Sequence, residues 1–478
     1  MKKTYYILDK VAFISICLYF LDVVVLGTGV LTRIGPLSTR IVFAMVSVAC
    51  VIPIAFSNIK EFLSSKYIVL ILLFYIMLLI GFIHGIINQN SYTIIRSDVL
   101  GFVHLTMTLP LICCMRTQKR VFTLWNVITY ALDMYAIVTI LLTFYQMLPN
   151  NMVSYIYNIL DKSGIGAIST LGGNAVRVFL HTGSRLFIMA FLFYLIMSII
   201  NKECKKSYIV RMSVLIVAIF VSYTRSLYLG IFVAFFVALI LAGFFLRDII
   251  KNLLINLCIA VCLAVLVIVG LSSFQQTNLF SVAIERCLLA GNDVVDDNKG
   301  ISGEEIDSIL QESTGGTHNE IESGIIENEN LLATESESGD ELENITAEME
   351  NLTIRSQRQS MALENFKKNP LFGCGLGTVN DPKGGHIELF YLDILSKMGI
   401  VGLLVFLTPY IMAIYDFIRK KYESMQRYIL FICIITLTYA ITFSYFNPFM
   451  NSAVGLMLYA LCISQTFRWT TADSIQNM

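Results

Sequence analysis

A bilayer's hydrocarbon core is crossed by roughly 20 apolar residues in helical form. Twelve runs in this chain fit that description: 11–31, 39–57, 66–87, 97–115, 121–148, 178–200, 208–224, 226–246, 252–274, 387–415, 428–446 and 452–467. Nothing else in the sequence constrains the fold as strongly. A peptide group in lipid has no water to bond, and a helix satisfies its backbone within the segment. The predicted fold class is therefore all-α, a polytopic transmembrane helix bundle. Composition agrees: only 14% of the 478 residues are charged, against about 25% in soluble domains. No cleaved leader is expected, because the first run opens a series and no small-residue cleavage site is clear.

Lys and Arg concentrate in the cytoplasmic connections of membrane proteins. Here Lys2 and Lys3 precede the first run, and alternate connections carry Lys60 and Lys66, then Arg116, Lys119 and Arg120, then Lys202, Lys205, Lys206 and Arg211, then Arg247 and Lys251. The densest group is Arg419, Lys420, Lys421 and Arg427. All fall on one side if every run spans. That side is read as cytoplasmic, with both termini inside and the chain embedded in the lipid bilayer of a cytoplasmic (inner) membrane. The organisation expected is an N-terminal bundle of nine spans over 1–274, an extracytoplasmic loop over 275–385, and a C-terminal bundle of three spans over 386–478.

The net charge of +0 hides an asymmetry: about half of the 34 acidic residues fall between Glu285 and Glu350. The stretch from Ser281 to Asn365 has no aromatic residue. Such a segment cannot bury enough apolar surface to offset its ordering entropy, so 285–350 is read as disordered, followed by a short helix over 356–368. Asn344-Ile-Thr and Asn351-Leu-Thr match the glycosylation sequon, and the match is read as chance. No internal repeat supports an inverted-repeat transporter. Most of the eleven cysteines sit in apolar runs, and no Cys-x-x-Cys stands at zinc spacing. Asp293, Asp296 and Asp297 lack the ligand spacing of a calcium loop. No metal, no cofactor and no nucleic-acid partner are expected.

Arginine is costly in or beside a span, and an outer location runs against the positive-inside bias. Arg225 lies in Ser222-Tyr-Thr-Arg-Ser, a tight outer connection. Arg177 and Arg185 flank the outer start of another run, and Arg355 and Arg358 lead out of the acidic segment. One reading is snorkelling or pairing with the acidic loop. The other is an anion clamp, since guanidinium groups grip diphosphate oxygens bidentately and stay charged. Arg225, Arg185, Arg358 and Arg177 are the candidate diphosphate-binding residues.

The loop meets the membrane again at Leu371–Leu404. Asn369-Pro-Leu-Phe-Gly-Cys-Gly-Leu-Gly reads as a sharp turn in which Gly373, Gly375 and Gly377 permit positive φ and close backbone approach. No Gly-Lys-Ser/Thr follows, so it is not a nucleotide loop. These glycines and Tyr391 are candidate substrate-loop residues. His386 and Glu388 open the next helix, and both are candidate catalytic bases. They converge on one substrate only if His386 sits in the cap and Glu388 in the first turn. Asp393 and Lys397 stand i,i+4 and can pair, while Gly399 and Gly402 permit close packing. His84 and His104 read as packing or hydrogen-bonding residues, His181 as a neighbour of the arginines, and His318 as solvated.

In order, these pieces resemble the bacterial O-antigen ligase and O-antigen polymerase family, membrane glycosyltransferases of the C-type fold class. The resemblance rests on Thr224-Arg225-Ser226 at an outer span end, a large outer loop, a helix led by Arg358, Pro370 to Gly377, and a histidine before Tyr391, Leu392, Gly399 and Gly402. The ligases typically carry His-Asn three residues before the Tyr-Leu. Here Glu388 and Leu389 stand there, with His386 two residues earlier. The His-Ile-Glu…Lys-x-Gly form is nearer the polysaccharide polymerase branch.

The resemblance implies transfer of a glycan from a polyprenyl (undecaprenyl) diphosphate carrier to a hydroxyl of an acceptor glycan at the membrane's outer face, in surface polysaccharide biosynthesis. Arg225, with Arg185 or Arg358, would hold the diphosphate, and His386 or Glu388 would take the proton, without a metal. A flippase and a chain-length regulator are implied partners. Two alternatives stand beside polymerisation: ligation of the finished chain to lipid A-core, and a lipid-linked oligosaccharide flippase. The flippase would want charge at the midplane, where Asp22 and Asp133 are the candidates, neither with an obvious cationic partner in the sequence.

Overall fold

The computed structural model describes residues 2–26, 33–34, 37–57, 59, 66–115, 117–144, 150–163, 165–171, 175–180, 183–275, 278–284, 356–380, 389–420, 422–445, 447 and 449–475. The chain divides into two compact units, 1–282 with 357–478, and 283–356. The acidic segment 285–350 lies outside the described residues, as do Arg355, His181 and His318.

The larger unit is a helix bundle. Its helices are α1 (Lys2–Leu26), α2 (Thr39–Ser57), α3 (Lys66–Ile87), α4 (Tyr92–Phe102), α5 (Thr108–Cys114), α6 (Gln118–Thr143), α7 (Asn150–Ser163), α8 (Gly183–Ile200), α9 (Lys205–Val221), α10 (Arg225–Phe245) and α11 (Arg247–Gln275). The chain returns with α12 over 356–368, then α13 (Phe390–Arg419), α14 (Ser424–Phe443) and α15 (Ala453–Ile475). Among the described residues, nine helical stretches are long and apolar enough to cross a membrane. The remaining three of the twelve expected runs are helical but fall short. Helix α1 carries Lys2, Lys3, Asp9, Lys10 and Asp22, and α9 has 17 residues including Lys205, Lys206 and Arg211. The apolar part of α15 is only Ala453–Thr466.

Burial separates inner from outer helices. The most apolar window of α8 is 78% buried and that of α14 is 72% buried, while those of α2, α3, α10, α11 and α13 lie between 22% and 33%. The inner pair therefore forms the protein core. The outer helices present Phe232, Phe236, Leu266 and Ile411 outward, which suits lipid, not water. Helix α10 packs on α14, α3 on α13 and α8 on α9.

The all-α bundle carries two short antiparallel hairpins: Arg33–Ile34 with Leu37–Ser38, and Gly166–Leu171 with Ala175–Leu180. We call the second pair of strands β3 and β4. Within Ala175–Leu180, polar Arg177 and apolar Val176 and Val178 alternate, and β-branched side chains suit a pleated surface. The run expected to start a span at residue 178 is thus strand up to Leu180, and its helix begins at Gly183.

Candidate functional site

Helix α12 delivers the chain into the glycine turn, which is wedged between three other backbones. The amides of Cys374 and Gly375 donate to the carbonyls of Ser396 (2.7 Å) and Lys397 (3.1 Å). Leu376 N donates to Gly81 O on α3 (2.8 Å), and Ile400 N to Pro370 O (2.9 Å). Glycine is required for this crossing. Gly373, Gly375 and Gly377 have φ of 72°, 94° and 79°, and a methyl at Gly375 would overlap the backbone of Gly85. Helix α13 breaks at Gly399 (φ 67°, ψ −169°), where a methyl would overlap the Leu371 carbonyl. Gly373 and Gly375 thus face protein backbone, and Gly377 faces the side chain of Ile95. Tyr391 donates its hydroxyl to Ile441 O on α14 (2.6 Å).

A buried ionic cluster locks this crossing. Lys397 Nζ lies 2.8 Å from Asp98 Oδ1 and 2.8 Å from Asp393 Oδ1, so the pairing expected from i,i+4 spacing is present and gains a second carboxylate. Asp98 Oδ2 also accepts from Gly377 N (2.8 Å). Asp393 accepts from Asn380 (3.3 Å) and Asn451 (3.1 Å), and Asn380 also donates to Ser396 Oγ (2.6 Å). Sequence reasoning missed Asp98, Asn380 and Asn451. His386 and Glu388, the candidate bases, lie outside the described residues, but Asn380 before them and Asp393 after them are joined by this network.

The second feature is an arginine corner where α8, α10, α14 and β4 meet. Arg177 on β4 donates through Nε to Ser222 O (3.3 Å) and through Nη2 to Thr224 Oγ1 (3.5 Å), the residue before Arg225. Arg177 and Arg185 both lie over the Phe179 ring, at 5.2 and 5.8 Å. The structure therefore brings Arg177, Arg185 and the Ser222–Arg225 connection together, although they come from three elements. Arg185 and Arg225 have no carboxylate partner among the described residues, and the Nε of each is buried without a hydrogen-bond acceptor. Arg358 stands half-buried on α12. Tyr223 adopts φ 45°, a conformation costly for a bulky side chain. Burial raises its phenol above the usual range, so it stays a proton donor.

The midplane acids are accounted for differently than the sequence suggested. Asp133 has a cationic partner, Arg211, at 3.1 Å, and accepts from Tyr194 at 2.6 Å. Asp22 accepts from Thr39 and lies within electrostatic reach of Arg40. His104 bonds the Tyr19 hydroxyl through Nδ1 (2.8 Å), a packing role.

Residues 210–407 match the family model described as O-antigen ligase. The match runs from α9 to the middle of α13. It contains Arg225, Arg358, the glycine turn, His386, Glu388 and Tyr391, while Arg177 and Arg185 precede it. None of the curated proteins compared with the chain matches it.

Proposed function

We propose that this chain, a multi-pass membrane protein of the O-antigen ligase and polymerase family by residues 210–407, is a polysaccharide polymerase working on polyprenyl diphosphate-linked glycan repeat units. The family assigns glycan transfer in surface polysaccharide synthesis. The observation that carries the finer reading is the arginine corner. Arg185 and Arg225, at the starts of α8 and α10, have no carboxylate partner among the described residues. Positive helix ends add to the same field. Half-buried guanidinium groups whose shielded Nε has no acceptor suit an anionic ligand that arrives with the substrate, and a lipid diphosphate has the charge and the membrane depth.

In this mechanism the acceptor sugar's hydroxyl oxygen bonds to the donor's anomeric carbon as the bond from that carbon to the diphosphate oxygen breaks. The polyprenyl diphosphate leaves with the bonding electron pair. Arg185 and Arg225 stabilise the charge that grows on it. His386 or Glu388 accepts the hydroxyl proton. No step uses a metal. The polymerase reading over ligation rests on the His386-Ile-Glu388 form.

The test is mass spectrometry of polyprenyl-linked glycans in the native host deleted for this gene and complemented with wild type or Arg225→Lys. Polymerase predicts single repeat units on the lipid in the deletion and in Arg225→Lys. Long lipid-linked chains would instead identify a ligase. An unchanged pool in the deletion would reject both.

A further inference from the structure

The arginine corner contains more unused donors than its arginines. Tyr439 on α14 is fully buried, and its hydroxyl has no hydrogen-bond partner among the described residues. It lies within electrostatic reach of Arg185. Its placement is specific: the ring stacks on Phe443 (5.6 Å, 18°), and Gly230 of α10 leaves room for it, since a methyl there would sit 3.0 Å from the Tyr439 ring. Ser184, beside Arg185, and Tyr223, two residues before Arg225, are also buried with unpartnered hydroxyls.

A buried hydroxyl without a partner is destabilising, and phenylalanine would fill the same space without that penalty. Arg185 and Tyr439 thus offer unpartnered guanidinium N–H and hydroxyl O–H groups within electrostatic reach of each other. All can donate, and a guanidinium cannot accept. A ligand rich in acceptor oxygens would satisfy them together.

We infer that Tyr439 is a ligand-binding residue of the arginine corner, its hydroxyl donating to an oxygen of the same phosphate-type anion that Arg185 holds. This rests on the diphosphate reading above. Tyr439 then contributes a hydrogen bond to a charged acceptor, which is stronger than one between neutral groups. Its worth is expressed in the bound state only.

The experiment uses the full-length protein in detergent or nanodiscs, with inorganic diphosphate as probe and thermal unfolding and calorimetry as readouts. Wild type, Tyr439→Phe and Arg225→Lys are compared. Without probe, Tyr439→Phe is expected to unfold at the wild-type temperature or higher. With probe, its affinity is expected to fall about tenfold or more. A tyrosine that only packs would leave the affinity for the probe unchanged on replacement by phenylalanine, and that result overturns the inference. If wild type binds diphosphate and Arg225→Lys loses it while Tyr439→Phe does not, the inference fails and the diphosphate reading survives. If wild type itself shows no binding, the diphosphate reading fails and the role of Tyr439 falls with it.

Discussion

Lys397 Nζ stands 2.8 Å from Asp98 Oδ1, a contact across 299 residues of chain that fastens α13 to α4. Both groups are almost wholly buried, and Lys397 also binds Asp393 at 2.8 Å. Removing one member of a buried ionic pair typically costs about 3–5 kcal/mol, because the survivor is left charged and unpaired. Lys397→Met strands two carboxylates and is expected to destabilise the protein by about that amount. Asp98→Asn leaves Lys397 paired with Asp393, so it should cost distinctly less. Thermal unfolding of purified protein checks the order, and a Lys397→Met variant as stable as wild type would contradict the cluster's locking role.

The glycine turn makes a sharper claim about space. Gly375 and Gly399 both have positive φ, and a methyl at either would meet backbone, that of Gly85 or Leu371. The conformation alone costs an L-residue roughly 1–2 kcal/mol, and backbone cannot step aside as a side chain can. Gly375→Ala and Gly399→Ala are expected to lower folded yield and unfolding temperature severely. Gly243→Ala, where nothing lies within 4 Å, should be neutral. Equal behaviour of all three in a fluorescence-monitored size-exclusion assay would refute the crossing.

What the sequence revealed and what it concealed follows from the range of each signal. A span is a local property of about 20 residues, so its hydropathy alone located all nine stretches that meet the length and composition of a span. The Lys397–Asp393 pair was visible because i,i+4 residues share a helix face. Asp98 was not, since nothing local marks a carboxylate whose cation is 299 residues away. The same reason hid Arg211 from Asp133, 78 residues apart. The hairpin β3–β4 was missed because its apolar end, Val178 to Leu180, stands close before the apolar run of α8 that begins at Leu186, and the two read as one span. Arg177, Arg185 and Arg225 stood out in the sequence as charge in an unexpected place, a local clue to their proposed role. Tyr439 offered none, because a tyrosine in an apolar run reads as packing.

The pairing of Asp133 bears on the transport alternative. Its carboxylate is shared by Arg211 (3.1 Å) and the Tyr194 hydroxyl (2.6 Å), so it is held by protein groups. Asp133→Asn is expected to leave glycan transfer near wild type, with at most a modest loss of thermal stability, since Arg211 is partly solvated. A substitution that abolished movement of lipid-linked glycan across the membrane, with transfer intact in open vesicles, would favour transport.

The two candidate bases separate from the clamp by which kinetic constant they move. A proton acceptor acts in the transition state, so losing it lowers kcat with little change in donor affinity, by about 100- to 10,000-fold. A diphosphate ligand also holds the ground state, so losing it raises KM for the lipid-linked donor. His386→Ala and Glu388→Gln should therefore bind donor as wild type does, and only the variant lacking the true base should show the full fall in kcat. Arg225→Lys should weaken donor binding despite keeping its charge, because a lysine cannot reproduce the bidentate fork. Turnover of purified enzyme on a polyprenyl diphosphate-linked repeat unit, with and without EDTA, measures all of this. Unchanged rates in EDTA are expected, and a chelator-sensitive reaction would overturn the metal-free mechanism. Loss of kcat in Arg225→Lys with KM unaltered would move that arginine from substrate binding to transition-state stabilisation alone.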